Sequence, residues 1–191
     1  PSRGLGDVYK RQRKQLRGQL KDIQSEVGIT TVYVTHDQEE ALSMSDRIAV
    51  LNEGRIEQVG TPRELYEKSE TEFVCTFLGQ VNPLSEAQIN ELNNQGARLA
   101  PEHTHYIRPE RLTVQRDNTS SIGSELRLPA TITGESYLGD HSVVEVNAMG
   151  SPLRVNVSGL HPVEASDSDV TLLLDDSAIS SFDADGRRVA E

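Results

Sequence analysis

Apolar residues recur at Leu16, Leu20, Ile23 and Val27, the three- and four-residue spacing that lines one face of a helix. Arg13, Lys14, Arg17 and Lys21 make the solvated face of the same segment, and Gly28 ends it with a residue that tolerates a left-handed conformation. The pattern then changes. Residues 30–35 carry no charge and are rich in β-branched side chains, which predicts a central strand covered on both faces. Asp37, with Glu40 three residues on, predicts a capped helix to Ser45, the Asp accepting from first-turn amides and the Glu reaching back. His36 sits between strand and helix.

Residues 46–52 and 55–59 read as two strands joined across Asn52, Glu53 and Gly54, a sequence suited to a tight hairpin turn. Thr61 caps and Pro62 opens a helix through residue 69, and a second short helix covers 71–78. Residues 79–83 form a junction. A short helix over 85–92 is closed by residues 93–96. Beyond it the period switches to two, predicting strands at 103–107, 112–115, 130–135, 142–147, 153–157 and 170–174. Polar loops occupy 117–124 and 161–169. Short strands separated by glycine turns predict a small β-barrel, which at this size needs support from a neighbouring domain or a second copy. The fold class is α/β followed by all-β.

The carboxyl edge of strands is where open α/β sheets bind ligands, so His36 is the first candidate for chemistry; the competing reading is an imidazole bonded to a loop carbonyl. Asp37 reads as a helix cap or as a partner of His36. Glu39 and Glu40 read as a carboxylate pair for acid–base work, or as one capping and one solvated residue, because adjacent helix positions face different ways. His103 and His105 share one face of a strand, which suits a metal site or two surface histidines; no third ligand stands nearby, His141 and His161 being far in sequence. No metal ligand is assigned.

Residues 13–82 resemble the C-terminal end of the nucleotide-binding subunit of ATP-binding-cassette importers. Residues 13–24 are similar to the helix after that family's D-loop. Residues 28–37, ending in Thr35, His36 and Asp37, resemble its last conserved strand and switch-histidine loop. Residues 46–62 resemble its closing hairpin, and residues 65–67 and 73–82 its terminal helices. In the second half, residues 107–110, 134–139 and 182–183 resemble landmarks of the transport-associated OB domain, which the family appends to importers of sugars, polyamines, ferric iron and sulfate or thiosulfate.

The resemblance implies a truncated C-terminal part of a P-loop ATPase domain over 13–82 and an OB-like β-barrel over 83–191. It implies that His36 is catalytic, bonding the ATP γ-phosphate and helping to hold the attacking water. It further implies ATP and Mg as cofactors, transmembrane permease subunits and a second copy of the ATPase as partners, and an external substrate-binding protein as an indirect one. The expected location is peripheral, on the cytoplasmic face of the membrane. The barrel's alternative role is an oxyanion- or substrate-sensing regulatory binding module. Residues 79–106 depart from the family's pattern, with a polar helical insert where the first barrel strand is expected.

The sequence contains no G-x-x-x-x-G-K-[ST] loop, whose amides and lysine hold nucleotide phosphates. The family's other phosphate- and magnesium-binding motifs lie upstream of residue 13, and the chain alone is expected to be inactive. Residues 2–12 do not resemble the family. They resemble the conceptual translation of a transposase-type sequencing adapter, an alternative to a natural basic N-terminus, and residues 1–12 are excluded from fold reasoning.

A net charge of −11 over 191 residues excludes a nucleic-acid partner. Asp167, Asp169, Asp175, Asp176, Asp183 and Asp185 make the C-terminal region acidic without calcium-loop spacing. The single cysteine, Cys75, lies on an apolar stretch and reads as a small core residue. The arginine of the Arg108, Pro109, Glu110 turn is expected to pair with a carboxylate.

Overall fold

The computed structural model describes residues 16, 18–24, 26–115, 125–158 and 169–189. The adapter-like segment, residues 13–15, the loop 117–124 and residues 161–168 lie outside them. The chain divides into two compact units, residues 1–68 and 69–191.

In the first unit the described residues 18–24 and 26–27 are helical (α1). Gly28, at φ +67, ends the helix by donating its N–H to Gln24 O at 2.9 Å. The strand expected at 30–35 does not form. A central strand takes its hydrogen bonds from two neighbours, and among the described residues no strand lies beside this one. The segment is uncovered as well as unpaired: Val32 is 88% and Val34 90% exposed. Leu16, Leu20, Ile23 and Val27, the apolar face of α1, are also exposed. The described residues of this unit therefore show helices and one hairpin, not the expected α/β sheet.

Helix α2 runs Gln38–Met44. Strands β1 (Ile48–Asn52) and β2 (Arg55–Gly60) pair antiparallel. Their turn places Glu53 at φ 48 and Gly54 at φ 78, the paired left-handed residues of a type I′ connection. Helix α3 (Pro62–Glu67) starts with a complete capping box: Thr61 Oγ1 accepts from Glu64 N–H, and the Glu64 carboxylate accepts from Thr61 N–H at 2.8 Å. These bonds hold the Glu64 carboxyl below its ordinary pKa.

The second unit contains α4 (Glu72–Phe77), β3 (Asn82–Pro83), α5 (Glu86–Asn94), β4 (Thr104–Ile107), β5 (Thr113–Gln115), β6 (Leu126–Tyr137), β7 (His141–Ala148), β8 (Ser151–Ser158), β9 (Asp169–Leu174) and β10 (Ile179–Phe182). A three-stranded sheet has the order β10-β4-β3, and a five-stranded sheet the order β5-β9-β6-β7-β8. The larger sheet curls into a half-barrel, and its outer strands β5 and β8 approach each other. Alternation along β7 and β8 buries Val144, Val146, Leu153 and Val155, which join Leu128, Leu172 and Ile179 in one core.

Side-chain amides seal this barrel where strands are lacking. Asn82 donates to Arg154 O and accepts from Arg154 N–H, both at 2.8 Å, on the outer strand β8. Gln95 makes the same double bond, 2.8 Å each way, to the backbone of Arg127 in β6. Gln88, fully buried, donates to Ala148 O at 2.9 Å while its Oε1 accepts from Ser85 N–H. The polar insert thus supplies the hydrogen bonds that another strand would have made.

Helix α4 is bonded into the same unit. Arg108, expected to pair with a carboxylate, is buried and donates to Leu78 O at 2.8 Å and to Cys75 O at 3.4 Å. These are carbonyls at the helix C-terminus, left without intrahelical donors. Tyr106 Oη donates to Glu72 Oε1 at 2.6 Å. The C-terminal segment returns so that Glu72 N–H donates to Gly186 O and Arg188 N–H to Glu70 O. Burial pushes the Cys75 thiol pKa up.

Two measurements check this arrangement. Gln88→Ala removes a buried donor from the Ala148 carbonyl and leaves the Ser85 amide without its side-chain acceptor, lowering unfolding stability by about 1–3 kcal/mol, whereas Gln95→Ala at the exposed edge costs under about 1 kcal/mol; denaturant titration reads both. Burial and the Glu72 bond raise the Tyr106 pKa to about 12. Absorbance titration should therefore show one of the five tyrosines ionising last and lost in Tyr106→Phe. Because the folded value is the higher one, its stabilisation is complete below about pH 10 and disappears as pH rises towards 12.

Candidate functional site

His36 lies at a bend between the extended segment 29–35 and α2, with its imidazole exposed. The residues on either side are anchored. Thr35 Oγ1 donates to Glu40 Oε2 at 2.6 Å and accepts from Asp37 N–H at 3.0 Å. Asp37 Oδ1 accepts from Glu40 N–H at 3.1 Å, which makes Asp37 the cap of α2. Tyr33 Oη donates to Glu40 Oε2 at 3.2 Å. The turn is thus closed from both sides while the imidazole projects to solvent, where it can donate to or accept from a bound molecule.

Asp37 serves the helix cap, the simpler of its two readings. Glu40 departs from expectation. A capping-box glutamate returns to the cap residue's own N–H; here Thr35 Oγ1 holds that N–H and the Glu40 carboxylate holds the threonine hydroxyl. Glu40 is 6% exposed and Glu39 is exposed, so the two are not a matched catalytic pair. The Glu40 cluster escaped the sequence reading. Its signal was there: Tyr33 and Thr35, two apart in an extended chain, point the same way, towards the first turn of the following helix.

The other candidates resolve as structure. His105 is not at the surface; it is 2% exposed, with Nδ1 2.8 Å from Ser181 Oγ and Nε2 2.9 Å from Ala100 O. With both ring nitrogens engaged, it does not pair with His103 as a metal ligand. Asp175 caps a short 3-10 turn at residues 176–178, and Asp183 Oδ1 accepts from Asp185 and Arg187 N–H; Asp167 lies outside the described residues. A surface concavity in the second unit is lined by Thr131, Thr133, Asn147, Met149, Asp169 and Thr171 among others. Its lining contains one carboxylate and no cationic side chain.

Comparison with known proteins places these features. Residues 106–182 match the TOBE domain. The chain is 41% identical over 158 residues to the sulfate/thiosulfate import ATP-binding protein CysA of Bacillus cereus, covering 77% of this chain and 43% of that protein. It is 38% identical over 164 residues to the spermidine/putrescine import ATP-binding protein PotA of Trichodesmium erythraeum, covering 86% of this chain and 38% of that protein. The chain therefore spans well under half the length of these relatives. Among solved structures, the cytoplasmic molybdate-binding protein ModG with molybdate bound overlaps 41% of this chain and 60% of its own at 12% identity and a TM-score of 0.35, too low to carry fold or ligand across. The chain thus matches the C-terminal part of ATP-binding subunits of ATP-binding-cassette importers, with a TOBE-domain match over residues 106–182.

Proposed function

We propose that the protein acts as the ATP-binding and ATP-hydrolysing subunit of a solute importer, with His36 as the catalytic residue that contacts the γ-phosphate. The observation that carries this reading is the exposed imidazole held between two anchored residues, at the end of an apolar segment with no covering sheet. Imidazole suits the role, because near neutral pH it can donate to a phosphate oxygen and help keep an attacking water in line. Of the groups that would meet ATP, this chain offers His36 alone. It has no glycine–lysine loop for the phosphates and no strand-ending Asp-Glu pair for Mg, so in this reading those contacts belong to the upstream part of the longer subunit.

In this reading residues 13–82 complete the ATPase domain, with α4 tied by its bonds to the barrel, and residues 83–191 form the transport-associated OB-like barrel. The bare face of α1 and the unpaired segment 29–35 pack against the rest of the ATPase sheet. The subunit works as a homodimer on the cytoplasmic face of the membrane and drives permease subunits fed by an external binding protein. No described helix is long and apolar enough to cross a bilayer. Oxyanion sensing by the barrel is the weaker reading, because the concavity lined by Thr131, Asn147 and Asp169 has a carboxylate and no cation among its described lining residues.

The test is made in the full-length subunit. His36→Ala should lower ATP turnover by about a hundredfold or more while nucleotide affinity stays within a few-fold, as expected for a group that acts on the transferring phosphoryl. Wild-type turnover in that variant refutes the assignment. The 191-residue chain assayed by itself should show no turnover above background, and a measurable rate contradicts the reading.

A further inference from the structure

We infer that Glu40 is a positioning residue for His36, acting through the hydroxyl of Thr35. The inference rests on the catalytic reading of His36 given above. Because the imidazole is exposed, side-chain packing does not aim it; the backbone on either side does. Asp37 fixes one side by capping α2. The other side depends on one hydroxyl. Thr35 Oγ1 has a single proton and two lone pairs. The Glu40 carboxylate only accepts, so at 2.6 Å it takes that proton. The lone pairs are thereby turned to the Asp37 N–H, 3.0 Å away.

The bonds form a closed circuit. Glu40 holds Thr35, Thr35 holds the amide of Asp37, and Asp37 holds the amide of Glu40, with His36 spanned inside the loop. Tyr33 Oη, at 3.2 Å, adds a second donor to the same carboxylate oxygen. A glutamate serving only as a helix cap would not need to be 6% exposed or bonded to two hydroxyls of the preceding segment. Burying a carboxylate is costly unless it is hydrogen-bonded, and these donors meet that requirement at the residue next to the imidazole.

The experiment has two arms. In the 191-residue chain, nuclear magnetic relaxation of the residue 35–37 amides should show them loosened in Glu40→Ala and in Thr35→Val. They should remain ordered in Glu40→Gln, whose amide oxygen still accepts the Thr35 proton. The Thr35→Val variant leaves the α2 cap untouched, so it guards against simple loss of the helix. In the full-length subunit, Glu40→Ala and Thr35→Val should lower kcat by about ten- to a hundredfold with KM for ATP nearly unchanged. The double variant should be no worse than either single one, and Glu40→Gln should recover most of the rate. Wild-type kcat in Glu40→Ala, beside an inactive His36→Ala, overturns the inference and leaves the catalytic reading standing. Wild-type kcat in His36→Ala overturns the catalytic reading, and the positioning role falls with it.

Discussion

Every backbone amide and carbonyl removed from water needs a hydrogen-bond partner, and the two units meet that requirement in opposite ways. In the second unit, side chains bond backbone groups at the strand and helix ends: Asn82 on β8, Gln95 on β6, Gln88 at the end of β7, and Arg108 on the last carbonyls of α4. The unit closes on itself with fully buried Val144, Val146, Val155 and Leu172 inside. In the first unit the segment 29–35 pairs with no strand among the described residues, and Val32 and Val34 stand in the open. One unit bonds much of its own edge, whereas the other leaves an apolar segment uncovered.

That contrast gives the His36 turn its meaning. An exposed imidazole alone is an ordinary surface feature. Here it ends an uncovered apolar segment, and a ring of bonds from Glu40 through Thr35 to Asp37 constrains its backbone. Such a constraint costs conformational entropy, and it is useful where the geometry of one side chain matters. The relatives are import ATP-binding proteins, and under the function proposed above His36 would contact a phosphate, a contact whose geometry matters.

Much of the local structure was legible in the residues. Gly28 as a helix stop, Asp37 and Thr61 as caps, and the Glu53–Gly54 turn each depend on chemistry within four residues of chain, and each formed. The barrel strands followed from their alternation, apart from the two-residue β3, which falls in the expected junction at 79–83, and β10, where Ser180 and Ser181 blur the pattern. Failures came where the outcome depends on distant partners. Residues 30–35 have a strand's composition but no neighbours. The bonds from Arg108 to the helix-end carbonyls of α4 span about thirty residues and carry no local signal. His105 was read as a surface group because nothing in its surroundings signals Ser181, 76 residues away. The amide seals of α5 were invisible for the same reason: a polar helix looks solvated until the strand edge it covers is known.

The most direct test of the account is amide hydrogen exchange across residues 31–35, measured in this chain and in the full-length importer subunit with ATP bound. The account predicts exchange at nearly unprotected rates in the former and strong protection in the latter, as the segment becomes a paired strand. Equal exchange in both, whether fast or slow, contradicts it.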